Sequence, residues 1–137
     1  MNKLHPAYLF AILATVQSAH AANTFDGTWS TIFICPATPD GTKGYARNML
    51  AQVRNGVLHA EIGIQGQAGY LALDGAIQPN GNAILTGHGL TSSPNYAVGR
   101  PSPTTLYKFQ LQSRFTPTQG TGNRVETRRC NVTFTRN

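Results

Sequence analysis

Acidic side chains are scarce in this chain, with five Asp and Glu among 137 residues. They are Asp26, Asp40, Glu61, Asp74 and Glu126. No two of them are nominated as the facing pair that glycoside hydrolysis requires. Histidine is as thin, because only His59 and His88 follow residue 21. Gly-x-Ser-x-Gly, His-Glu-x-x-His, Cys-x-x-Cys and a phosphate-cradling glycine loop are all missing from the sequence, and with them the commonest signatures of nucleophilic, zinc and nucleotide chemistry. The expectation is a non-enzymatic protein with no catalytic residue, no cofactor and no metal. Nucleic-acid binding is not expected either, since the cations are scattered and the chain reads as exported.

Long apolar runs are also lacking, with one exception. Met1–Ala21 has a basic start at Lys3, the stretch AYLFAILATV and then Ala19 and Ala21 at peptidase-compatible spacing. This reads as a signal peptide over residues 1–21, too short in its apolar part to span a bilayer; the alternative is a buried N-terminal helix. Residues 22–137 then form a single domain, periplasmic or secreted and not membrane-spanning.

Two cysteines remain, Cys35 and Cys130. In an exported chain such a pair is expected to form a disulfide, closing a loop worth about 4–5 kcal/mol on the chain-entropy model. A two-thiol metal site is the rival, and would need His59 and His88 as further ligands. What charge there is has one sign. Lys43, Lys108 and eight arginines face the five carboxylates, a balance that suits anionic surroundings such as envelope glycans and is equally compatible with solubility alone.

Sustained helical periodicity is missing too, and what replaces it is a series of short alternating runs between Gly and Pro turn signals. In MLAQVRNGVLHAEI, Asn55-Gly56 fits a two-residue type I′ turn. That turn pairs Val53 with Leu58, Ala51 with Ala60 and Met49 with Ile62 on one apolar face. A second hairpin turns at Pro79-Asn80-Gly81, with Leu71, Leu73 and Ile77 inward; its partner strand faces inward through either Leu85 or Ile84 and His88. In TTLYKFQLQSRF, Tyr107, Phe109, Leu111 and Phe115 share the buried face. The C-terminal segment divides into two strands, Thr121 to Glu126 and Arg129 to Arg136, turning near Thr127. The total of eight is an even number that lets the last strand close on the first. The fold class is therefore all-β, a small antiparallel up-and-down barrel closed by a disulfide between its first and last strands.

The first strand carries FDGTWSTIFIC. If Cys35 lies opposite Cys130, antiparallel register sets Trp29 opposite Arg136, a guanidinium capping an indole. With Gly27-Thr28-Trp29 at the start and Arg136 near the end, the chain resembles the calycin superfamily of lipocalins, avidins and their relatives. That resemblance implies a barrel whose floor is sealed by the Trp–Arg contact. Neither an avidin-type biotin site nor the second lipocalin motif is found. In general style the chain is similar to small exported proteins of Gram-negative bacteria, a likeness that implies no activity.

Up-and-down tracing gathers the tight turns at the Trp29 end and the longer loops at the other, where binding residues are usually presented. The longest loop carries Tyr96 and Arg100 among prolines. Extending the Asn55-Gly56 register sets Arg47 inward and opposite Ile64. It then either lines a wet cup or escapes to solvent through a bulge before Met49, and Arg128 invites the same two readings. The expected site is a rim of Arg47, Tyr96, Arg100 and Arg128 that recognises a small or anionic ligand, such as an envelope glycan. The alternative is an inhibitor or protein-interaction module that docks the same loops on an envelope or host protein. A concave open end would favour the first, and protruding loops over a plugged interior the second.

Overall fold

The computed structural model describes residues 24–137; the expected signal peptide lies outside them. Eight strands follow one another: β1 (Gly27–Cys35), β2 (Tyr45–Arg54), β3 (Val57–Ile62), β4 (Leu71–Ala76), β5 (Asn82–Leu90), β6 (Leu106–Phe115), β7 (Gln119–Arg124) and β8 (Cys130–Arg136). Each pairs antiparallel with its neighbours in sequence, and β8 pairs with β1 to close the barrel. Among the described residues no helix is long and apolar enough to cross a membrane.

Local chemistry sets each joint. Asn55 and Gly56 both adopt positive φ, 50° and 74°, the type I′ geometry that asparagine and glycine tolerate and β-branched residues do not. Asp26 braces this turn, its carboxylate accepting from the backbone N–H groups of Asn55 and Gly56 at 2.9 and 3.0 Å. The expected pairs Val53 with Leu58 and Ala51 with Ala60 are present. The ladder stops there, however, so Met49 does not pair with Ile62. Past Ala51, β2 stays in register with β1 while β3 turns towards β4. Ile64 consequently lies in a loop and is exposed rather than opposite Arg47.

The ambiguous hairpin resolves with Leu85 inward and fully buried, Ile84 exposed and His88 on the outer wall. The reason lies in β6. Phe109 pairs with Gly87 and its ring occupies the space a Cβ there would need. Only a residue without a side chain fits beneath that ring, so the aromatic face of β6 dictates the register of β5.

Alternate residues of every strand meet in one core that runs from Trp29, Phe25 and Phe115 at the floor through Leu58, Leu73, Leu85 and Leu111 to Phe33 and Phe109. The outer wall is predominantly polar, with Ile32, Ile34, Leu50, Val57, Ile84 and Leu106 as its large apolar exceptions. At the floor, Trp29 pairs with Arg136 as expected. The guanidinium sits over the indole at 5.9 Å and donates to the carbonyls of Thr24, Asp26 and Pro117. At the opposite end Cys35 and Cys130 form the expected disulfide, which excludes the two-thiol metal site. The C-terminal segment divides into two strands as expected, but β7 runs two residues earlier than Thr121–Glu126, ending at Arg124, and Thr127, at φ 67°, lies in the turn before β8.

Candidate functional site

Four loops meet at the disulfide end: 36–44, 63–70, 91–105 and 125–129. They are stitched to one another by backbone groups rather than left to move independently. Lys43 N–H donates to Asn95 O at 2.9 Å and Gly69 N–H to Leu90 O at 2.9 Å. Inside loop 36–44, the Asp40 carboxylate accepts from the Thr38 hydroxyl and from Thr42 N–H. The Thr38 bond, followed by that of Thr42, lowers the Asp40 carboxyl from 3.8 to about 2.

Loops 63–70, 91–105 and 125–129, with the adjoining strand ends, enclose a cup of about 860 Å³. Its wall carries Tyr45, Arg47, Tyr96, Tyr107, Arg124 and Arg128, with Ile62, Val98 and Pro101 adding apolar surface. No Asp or Glu lines it among the described residues. Cations without carboxylates beside them, in a concave and partly apolar setting, give the cup an electrostatic preference for anions over cations.

Of the four rim residues expected from the sequence, three converge here and one does not. Arg47 is half-buried and faces the cup, where one Nη donates to Gly69 O at 2.7 Å and so holds loop 63–70. Arg128 is buried and acts as a clamp. Its two Nη atoms donate to Tyr96 O at 3.0 Å, Pro36 O at 2.6 Å and Lys43 O at 3.3 Å, and its guanidinium lies 5.4 Å from the Tyr45 ring centroid. Tyr96 lies on a 3-10 turn at Pro94–Tyr96 and packs edge-on to Tyr45. Arg100 is exposed, next to Gly41 and outside the cup lining.

Sequence reasoning missed Arg124 and Tyr45, and placed Tyr107 on the inward face of its strand without assigning it to the site. Arg124 is only 8% exposed. Its Nε donates to Glu126 O at 3.1 Å and its guanidinium carbon sits 4.5 Å from the Phe109 ring centroid, so the cation lies on the apolar plug that floors the cup. Among the described residues no carboxylate pairs with it and neither Nη has a hydrogen-bond acceptor. Burial disfavours its charge and lowers its pKa. Tyr45 stacks on Phe33 and Tyr107 on Phe109. Burial raises both phenols, Tyr107 to about 12, so they remain neutral hydrogen-bond donors at physiological pH. The available signal was alternation: Gly120, Gly122 and Arg124 share the inward face of β7, but two glycines give no apolar mark to read.

A second polar cluster lies on the outer wall. His59 Nδ1 is 2.5 Å from Asp74 Oδ1 and its Nε2 3.7 Å from Glu61, while Tyr70 OH donates to Glu61 at 2.9 Å. The bond to Asp74 raises the His59 pKa. Its His59, Glu61 and Asp74 side chains are exposed while Tyr70 is buried, and the cluster lines neither the cup nor the shallow depression around Ile32 and Leu50. Among the described residues no three His, Cys, Asp or Glu side chains are arranged to hold a metal. Comparison with known proteins finds no matching family model, no matching curated protein and no matching solved structure.

Proposed function

We propose that the chain is an exported, non-enzymatic binding barrel that holds a small organic anion in the cup at its loop-bearing end. One observation carries this reading: Arg124, nine-tenths buried on the cup floor, has no carboxylate partner among the described residues. An anionic ligand, whether a free metabolite or the charged end of an envelope glycan, would give this largely buried guanidinium the paired charge that burial favours. A concave mouth suits a small ligand better than a docking partner. The prearranged loops also suit it, because little chain entropy is lost on binding.

The same reading takes the barrel as calycin-like and the protein as periplasmic or secreted. The first draws support from Gly27-Thr28-Trp29 beneath Arg136, the second from the disulfide. An apolar interior with a mostly polar outer wall is the reverse of the alternation a lipid-spanning barrel needs. Native mass spectrometry of the protein isolated from its own cell envelope tests the function. A co-purifying small anion that is lost from Arg124→Gln, but retained by Arg100→Ala, is the expected result. A stoichiometric protein partner in its place, indifferent to Arg124, would transfer the loops to the docking role.

A further inference from the structure

The donors on the cup floor can be counted. Arg124 has its Nε engaged with Glu126 O, which leaves the two Nη atoms. The hydroxyls of Tyr45 and Tyr107 have no hydrogen-bond partner among the described residues, and both residues line the same cup as Arg124. The cup therefore presents a planar two-nitrogen fork and two neutral hydroxyls free to donate, with no carboxylate among its lining residues. A carboxylate has two oxygens and about four lone-pair sites, and accepts bidentate pairing from an arginine. The fork alone can take both oxygens, and the two hydroxyls are the remaining neutral donors of the same cup.

We infer that the ligand is a small monocarboxylic acid seated head-down, its carboxylate on Arg124 between Tyr45 and Tyr107 and its apolar body towards Ile62, Val98 and Pro101. This rests on the cup being the binding site and adds the head group, the orientation and the size. A phosphate monoester brings a third oxygen and a further charge that the floor does not match. A neutral amide offers one acceptor oxygen and no charge to meet the guanidinium. Length is limited from below, since Phe33 and Phe109 are buried directly beneath and the barrel interior is filled with side chains. A long acyl tail has no channel to follow into the core, so the body of the acid stays between floor and mouth.

Fluorescence titration of the purified protein with 2-naphthoate, 2-naphthamide and 2-naphthyl phosphate tests the assignment. One 2-naphthoate per chain is expected, with the amide and the phosphate each at least about tenfold weaker, since a hydrogen bond to a charged group is worth that factor or more. Tyr45→Phe and Tyr107→Phe keep the rings and their stacking, and each should weaken 2-naphthoate roughly threefold to tenfold. Arg124→Gln should weaken it more than tenfold while circular dichroism remains that of the parent. If 2-naphthyl phosphate binds tighter and needs Arg124, the carboxylate assignment is overturned and the anion cup stands. Equal binding of the amide overturns the charged head group. Binding that ignores all three substitutions, or no binding of any probe, overturns the assignment and the cup together.

Discussion

Arg136 shows how much one side chain can hold when its partners are backbone. Three carbonyls from two segments far apart in sequence, Thr24 and Asp26 in one and Pro117 in the other, converge on its guanidinium, and the indole of Trp29 lies beneath it. Arg136→Ala should cost about 2–3 kcal/mol in urea unfolding, from charge-assisted bonds and the cation–π contact together. Lysine in its place should recover little, because a point ammonium cannot serve three diverging acceptors with a planar fork. Titratable groups give a second test. Asp40 has its pKa depressed to about 2, chiefly by the Thr38 hydroxyl. Its contribution is therefore complete above the ordinary 3.8 and is lost as pH falls through about 2. His59 has the opposite sign, since Asp74 raises it above 6.5; its contribution is full below that value and fades as pH rises through the folded pKa. Both groups are exposed, so the effect on global stability is small. NMR titration should find Asp40 below and His59 above their ordinary values, and Thr38→Val should return Asp40 towards 3.8.

Elements lock together here through pairs of ring and glycine. A methyl group at Gly87 would occupy the space of the Phe109 ring, and overpacking of that kind costs about 1–3 kcal/mol. Gly87→Ala should destabilise the protein by that amount in denaturant titration, and a compensating Phe109→Leu should restore part of it. Because Arg124 lies on the same ring, displacing Phe109 should also weaken anion capture; stability lost with binding intact would separate floor from site. The same pairing explains what the sequence could reveal. β6 was legible because its apolar and polar residues alternate strictly, and the Asn55-Gly56 hairpin because turn and pattern agree. β5 was not, since Gly87 and Gly89 carry no hydrophobic label and the choice between Leu85 and Ile84 depends on a strand some 20 residues later. Arg47, Tyr96 and Arg128 were found as unusual residues near loops. Arg124 escaped because its inward neighbours Gly120 and Gly122 are silent, and because its role comes from Phe109, a residue that only the closed barrel brings near.

At the scale of the whole molecule, seven of the eight seams join strands that are consecutive in the chain, and only β1 with β8 links its two ends. That seam must overcome the largest loss of chain entropy, and it is fastened differently at its two limits. The floor relies on Arg136 and on Asn137 N–H donating to Thr28 O at 2.9 Å. The mouth relies on the disulfide, just beyond the Ile34 and Asn131 pair that ends the ladder. Arg128 adds its bond to Pro36 O. Replacing both cysteines with alanine releases a constraint spanning 95 residues, worth at most about 4–5 kcal/mol. The loss should be uneven in space. With the floor still held by hydrogen bonds, the mouth end of the seam should open first, and amide exchange should accelerate at Phe33, Ile34 and Val132 well before Trp29 and Thr135. Since Arg124 pairs with Cys130 across β7 and β8, the cup should loosen with it and anion affinity fall more steeply than global stability. Uniform acceleration along the whole seam would mean that the barrel opens as one unit, and that the sulfur bridge stabilises the fold without specifically shaping its mouth.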